Sequence, residues 1–140
     1  MPCYRAVLAL CASESGDRER ATKVYRWFAD QRFSNLPRDT NHFLGLAVLA
    51  HVAADLGDAA GATDLTGLLA PHLGELVLLN CYGGGGAAWG PTSWALARLA
   101  VTEGRRDDAV GLFERAAAES AALPLVSSRV AAHAARLGYS

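Results

Sequence analysis

Ala12-Ser-Glu-Ser-Gly16-Asp17-Arg-Glu-Arg-Ala21, Ala53-Ala-Asp-Leu-Gly57-Asp58-Ala-Ala-Gly-Ala62 and Ala100-Val-Thr-Glu-Gly104-Arg-Arg-Asp-Asp-Ala109 repeat one pattern three times. Each has a glycine followed five positions later by an alanine, with an apolar, helix-periodic run before the glycine and a second helical run after it. Glycine accepts the left-handed conformation that ends a helix. Asp17 and Asp58 are good first residues for the next helix, and Asp107 and Asp108 suit the positive end of its dipole. The recurring alanine belongs where two helices cross closely. So short a link predicts an antiparallel helical hairpin, made three times over.

Three hairpins side by side predict an all-α fold of the tetratricopeptide type, stacked as a short solenoid of about seven helices. The units are spaced irregularly and more widely than the tetratricopeptide period of about 34 residues, so the loops must absorb the difference. One domain over residues 1–140 is expected, with hairpins at about 3–33, 41–70 and 92–122 and a capping helix at 124–137. In the second helix, drawn from Arg18 to Phe33, Ala21, Val24, Tyr25 and Phe28 form one apolar stripe. The third, Asn41 to Leu56, is apolar nearly all round and belongs in the middle of the stack. The sixth, Arg106 to Ala122, should turn Ala109, Leu112, Phe113, Ala116 and Ala117 inward. Leu76 to Leu79 either extends the fourth helix region or runs through it extended, and Gly83 to Gly90 reads as a loop. Ser127, Ser128, Arg129, His133 and Arg136 suit a solvated terminal helix. The apolar first helix leaves a face to cover, which suggests either self-association, predicted as a homodimer through it, or a segment that once continued on its N-terminal side.

The chain has 140 residues, enough for one core. Hydrophobic residues make up 51% and charged residues 19%, which excludes intrinsic disorder. Alanine is the commonest residue, and Lys23 is the single lysine. A net charge of −1 argues against direct nucleic-acid binding, which needs a basic face. The longest uncharged run, Leu76 to Ala97, contains Asn80, Gly83 to Gly86 and Pro91. These break a helix, so the run reads as a buried loop between helices and not as a membrane span. The N-terminus shows no signal-peptide pattern, and a cytoplasmic location is expected. Cys3 and Cys11 lie about 12 Å apart along one helix, too far for a disulfide or a shared metal. With Cys81 they read as buried, reduced thiols.

In order along the chain come Leu36-Pro37-Arg38-Asp39, Ala53-Ala54-Asp55-Leu56-Gly57-Asp58, Leu69-Ala70-Pro71-His72, Gly90-Pro91, Leu96-Ala97-Arg98-Leu99-Ala100 with Gly104-Arg105, and Asp108-Ala109-Val110 with Phe113-Glu114. As a series they resemble the C-terminal tetratricopeptide-like region of large bacterial regulators. Those proteins join an AAA-type ATPase module to helical repeats, then often to a LuxR-type DNA-binding domain or, in relatives, a nucleotide cyclase. The resemblance covers about Leu10 to Leu137. It implies a repeat region that engages a protein partner, another part of its parent protein, or an inducing ligand, in transcription or signalling. No Walker motif is present and no helix-turn-helix follows Gly138, so neither the ATPase nor the DNA-binding activity carries over. Asn41-His42 stands where relatives are expected to hold an aromatic residue.

The residues offer little chemistry of the familiar kinds. The run Gly83 to Gly86 is followed by a hydroxyl, Thr92, but by no lysine, as a phosphate loop requires. His42 and His51 fall on opposite sides of one helix, and no metalloprotease pattern accompanies them. His51 reads as a hydrogen-bonded core residue. Ser93 and Ser128 have no base nearby in sequence, and Asp107, Asp108, Glu114 and Glu119 read as a solvated face. No catalytic residue, cofactor or metal is assigned. The suggestive cluster is Tyr82, Trp89 and Trp94 around the glycine-rich segment, with Arg98 one helical turn beyond Trp94. Together with His42 these are the candidate ligand- or partner-binding residues. The alternative is that the rings only fill the groove between hairpins.

Three functions follow in order of preference. A non-enzymatic interaction module binding a protein or peptide predicts an exposed groove along the first helices of the hairpins. A small-molecule effector sensor, with the region around Tyr82, Trp89 and Trp94 by the glycine-rich loop closing over its ligand, predicts a closed pocket of several hundred Å³. A small enzyme predicts a cleft holding histidines or carboxylates with shifted pKa values.

Overall fold

A computed structural model describes residues 2–81 and 85–138. Among these it contains seven helices and one two-stranded sheet, an all-α fold with a small β-hairpin inserted. The helices are α1 (Pro2–Glu14), α2 (Arg18–Ala29), α3 (His42–Leu56), α4 (Ala59–Leu69), α5 (Thr92–Thr102), α6 (Arg106–Glu119) and α7 (Pro124–Arg136). Strands β1 (Leu76–Cys81) and β2 (Gly85–Pro91) lie between α4 and α5.

The three repeats are the three tight helix–helix links. Gly16, Gly57 and Gly104 take φ of 84°, 70° and 76°, the left-handed turn that stops one helix before the next begins. Ala21, Ala62 and Ala109 are fully buried in their crossings. The two aspartates act differently. Asp17 accepts from the Arg20 backbone N–H as a cap. Asp58 makes no such bond and instead accepts the Tyr25 hydroxyl at 2.8 Å. That hydroxyl lies so close to α4 that a Cβ on Gly61 would sit 2.0 Å from it.

The all-apolar α3 occupies the centre, packed against α1, α2, α4, α5 and β1, and Leu44 through Ala53 are all buried. A helix without a polar face can be stable only when surrounded in this way. Thr92 through Ala100 on α5 are likewise buried. One face of α5 joins the main core of α1 to α4, and the other builds a second cluster with Phe113 and Ala116 of α6 and Val130 and Ala134 of α7.

The structure departs from the sequence expectations at several points. Helix α2 stops at Ala29, and Arg32 and Phe33 take positive φ of 48° and 63°, which lets the Phe33 ring turn back into the core. Of the loop expected from Gly83 to Gly90, Gly83 and Gly84 lie outside the described residues, and from Gly85 onward the chain forms β2, antiparallel to β1. The segment is not buried as expected. Val77 points inward, while Leu76, Leu78 and Leu79 are exposed. Asn41 anchors the hairpin, accepting from the Asn80 backbone N–H at 3.1 Å. Cys11 is exposed, whereas Cys3 is buried, and the Ala117 side of α6 faces outward. Among the described residues no helix is long and apolar enough to cross a membrane.

Candidate functional site

A cleft of about 640 Å³ opens between α1, α3, α5 and α7. Helical spacing supplies its walls. Leu10, Ser13 and Glu14 share a face of α1, and His51 and Asp55 are one turn apart on α3. Arg129, Ala132, His133 and Arg136 form a stripe on α7. Trp89 comes from β2. The strand register shifts between Val77 and Leu78, leaving Trp89 without a Cα partner. A bulge of this kind re-aims a side chain, and here Trp89 lines the cleft. Gly90 allows the strand to approach α5, since a Cβ there would lie 2.9 Å from the Trp94 ring.

Arg98 sits at the cleft floor with 8% of its surface exposed. Its Nη1 donates to His51 Nδ1 at 3.0 Å and to the His51 carbonyl at 3.3 Å. Its Nη2 makes a very short contact with an Asp55 carboxylate oxygen, and the other Asp55 oxygen accepts from Ser13 at 2.7 Å. Arg18 donates to the Asp55 and Leu56 carbonyls, a cation placed at the negative end of α3. Trp94 Nε1 donates to His133 Nδ1 at 3.1 Å. The His51 ring lies 4.4 Å from Trp94 and 6.1 Å from Trp89, centroid to centroid. At the mouth, Arg129 pairs with Glu14 at 2.6 Å, joining the first and last helices. Its guanidinium also stands 5.7 Å from the Trp89 ring and 5.6 Å from that of Trp94.

Both histidines are held neutral. Burial lowers His51 well below its ordinary value, and the positive charge of Arg98 lowers it further. Burial and then Arg98 push His133 down to about 4, against the opposing pull of Asp55. Their tautomers follow from their partners. A guanidinium and an indole N–H only donate, so both Nδ1 atoms carry lone pairs and both protons sit on Nε2. Each imidazole has spent its one lone pair within the protein, which leaves neither equipped as a general base toward a ligand. Among the described residues no three His, Cys, Asp or Glu side chains gather as metal ligands.

Of the candidate residues, the structure brings together Trp89, Trp94 and Arg98. Tyr82 lies outside the described residues. His42 is elsewhere, at the start of α3, where its Nδ1 donates to the Pro37 carbonyl at 2.8 Å. The sequence reading passed over His51 as a cleft residue and missed Asp55, Arg129, His133 and Arg136. The signal was there: polar pairs one turn apart inside apolar helices, and a basic stripe on α7. That stripe is not simply solvated, because His133 is half-buried against Trp94. A second, apolar groove of about 420 Å³ runs between α6 and α7, lined by Val110, Phe113, Val130 and Ala134 among others.

No protein-family model, no curated protein and no solved structure matches this chain. Its function is read from its own residues.

Proposed function

We propose that this chain is a non-enzymatic helical-repeat recognition module whose central cleft binds a small-molecule effector. The carrying observation is that cleft, open to solvent rather than closed as expected, with about 640 Å³ of space and Arg98, His51 and Trp89 in its walls, the size of a ligand site. The histidine lone pairs, spent on Arg98 and Trp94, favour binding over acid–base catalysis. Part of the same proposal is that the hairpins stack as a short tetratricopeptide-like solenoid in a cytoplasmic bacterial regulator of transcription or signalling, with no direct nucleic-acid contact.

A protein or peptide partner is the second reading. A groove along the first helices of the hairpins gains little support, because α3 and α5 are covered along most of their length. An entry at the solvent-exposed Glu14–Arg129 pair suits a peptide end better. A homodimer through α1 also belongs here, since Tyr4 is 62% exposed beside exposed Leu8; a sedimentation run giving only monomer at high concentration would remove it.

The test is a thermal-shift screen of the full chain with metabolites and with short peptides, run in parallel on Ala132→Trp. Ala132 is solvent-exposed on α7 and lines the cleft, so tryptophan there fills space without disturbing the core. A metabolite that stabilises the wild type and not the variant is expected. Stabilisation by peptides alone favours the second reading, and ligands that act equally on both proteins refute a role for the cleft.

A further inference from the structure

Three polar atoms in the cleft residues are buried without a hydrogen-bond partner: His51 Nε2, Arg98 Nε and Trp89 Nε1. The tautomer of His51 makes its Nε2 an N–H, because Nδ1 accepts from Arg98. Arg Nε and Trp Nε1 carry hydrogen in every state found in proteins. All three unpartnered atoms are therefore donors. Two other buried side-chain atoms lack a partner, Asn35 Oδ1 and Ser93 Oγ; both are oxygens and neither residue lines the cleft, so the all-donor set belongs to the cleft residues. A wall of donors alone asks for acceptors, and unsatisfied buried donors are costly enough that a partner is expected.

Charge points the same way. Arg18, Arg98, Arg129 and Arg136 line the cleft against only Glu14 and Asp55. Arg98 is committed to Asp55 and Arg129 to Glu14. Arg136 makes no ion pair among the described residues, and with Arg129 it depresses His133 further. The Glu14–Arg129 pair is about half exposed on both sides, and such a pair exchanges readily for an incoming carboxylate. Water could satisfy the donors but would leave the positive excess uncompensated. Inorganic phosphate or chloride could answer the charge but would leave most of the volume, and the apolar surfaces of Leu10, Leu56 and the Trp89 ring, unfilled.

We propose that the cleft's ligand is a small organic acid: an apolar, ring-sized body bearing one oxyanion, carboxylate or phosphate. The oxyanion accepts from the His51, Trp89 and Arg98 N–H groups and is faced by Arg136, while the body lies against Trp89. The inference rests on the effector reading above and specifies its chemistry. The three N–H groups have essentially no solvent-accessible surface in this structure, so the cleft walls must part around the ligand before these groups meet the oxyanion.

The experiment follows tryptophan fluorescence and thermal shift of the full chain at constant ionic strength, since Trp89 and Trp94 report on the cleft. The probes are benzoate, phenyl phosphate, neutral benzamide and inorganic phosphate. Either acid, or both, should bind saturably in the millimolar range or below, and which of the two binds decides between carboxylate and phosphate. Benzamide should not bind. Arg136→Gln, which removes an exposed, unpartnered cation, should weaken the acid about tenfold, the worth of one charge-assisted hydrogen bond. Arg38→Gln, an exposed arginine outside the cleft, should leave it unchanged. The proposal is overturned if neither acid binds, if benzamide or inorganic phosphate binds as well as the acids, or if the two arginine variants behave alike. Neutral compounds that bind the wild type and not Ala132→Trp would overturn this inference and leave the effector reading standing. If nothing binds either protein, both fall.

Discussion

Asp55→Asn should destabilise the protein more than Arg98→Met, although both break the same ion pair. The difference lies in what each leaves behind. Arg98 is 8% exposed, and its guanidinium already has an unpartnered Nε. Losing the Asp55 charge strands a buried cation beside two histidines that cannot offset it. Breaking a fully buried pair this way costs about 3–5 kcal/mol. The Asp55 side chain keeps 28% exposure, so screening reduces this to about 2–4 kcal/mol. For a chain of this size that lowers Tm by about 6–12 °C. In Arg98→Met the cation disappears with the pair, and Asp55 remains hydrogen-bonded to Ser13 and near solvent. The apolar replacement strands the His51 Nδ1 lone pair that Arg98 satisfied, so it should still cost about 1–3 kcal/mol, less than Asp55→Asn. Urea denaturation of both variants and of the double variant measures the difference, with the double variant lying near Arg98→Met. Equal costs, or Arg98→Met the worse, would refute the reasoning. Arg98→Met should also raise the titration midpoints of both His51 and His133, each of which that arginine depresses, as imidazole NMR would register.

Stability should fall as the solution is acidified. The native values of His51 and His133 lie below the ordinary 6.5, so between the two the unfolded chain binds more protons. The contribution is whole above about pH 6.5 and is lost as pH drops, ending for His133 near 4. Allowing for screening at the half-buried His133, about 2 kcal/mol should be lost between pH 7 and 5, and a flat denaturation profile over that range would contradict it. Gly61→Ala should cost about 1–3 kcal/mol by overpacking, because its Cβ would meet the Tyr25 hydroxyl at 2.0 Å. Tyr25→Phe should relieve part of that cost, and strictly additive double-variant energetics would show that the two side chains do not meet. Asp58→Ala should cost about 1–3 kcal/mol by stranding the buried Tyr25 hydroxyl, against about 1 kcal/mol for the simple cap removed by Asp17→Ala; equal melting points would mean both act only as caps.

The three hairpin turns and the buried α3 were legible because their causes are local. A glycine that must turn left-handed, an alanine five residues on, and a helix with no polar face each carry their structural meaning in the immediate sequence. The strands were less so. The exposed leucines of β1 and the glycines and alanines of β2 give no alternation strong enough to announce a sheet, and pairing depends on a partner arriving from across the turn. The cleft residues were readable as types but not as a group. Trp89, Trp94 and Arg98 were singled out as neighbours in sequence. His51 and Asp55 come from α3, and Arg129, His133 and Arg136 from α7.

The amino-acid sequence alone determined that this protein would be a set of short helical hairpins, because helix periodicity and glycine termination act within a few residues. Only the tertiary structure decided that α7 would fold back over α3 and α5 and turn its basic stripe toward a buried arginine. That placement depends on which apolar faces bury against each other across the whole chain. The tautomers of His51 and His133, and hence the donor character of the cleft, exist only once those faces have met.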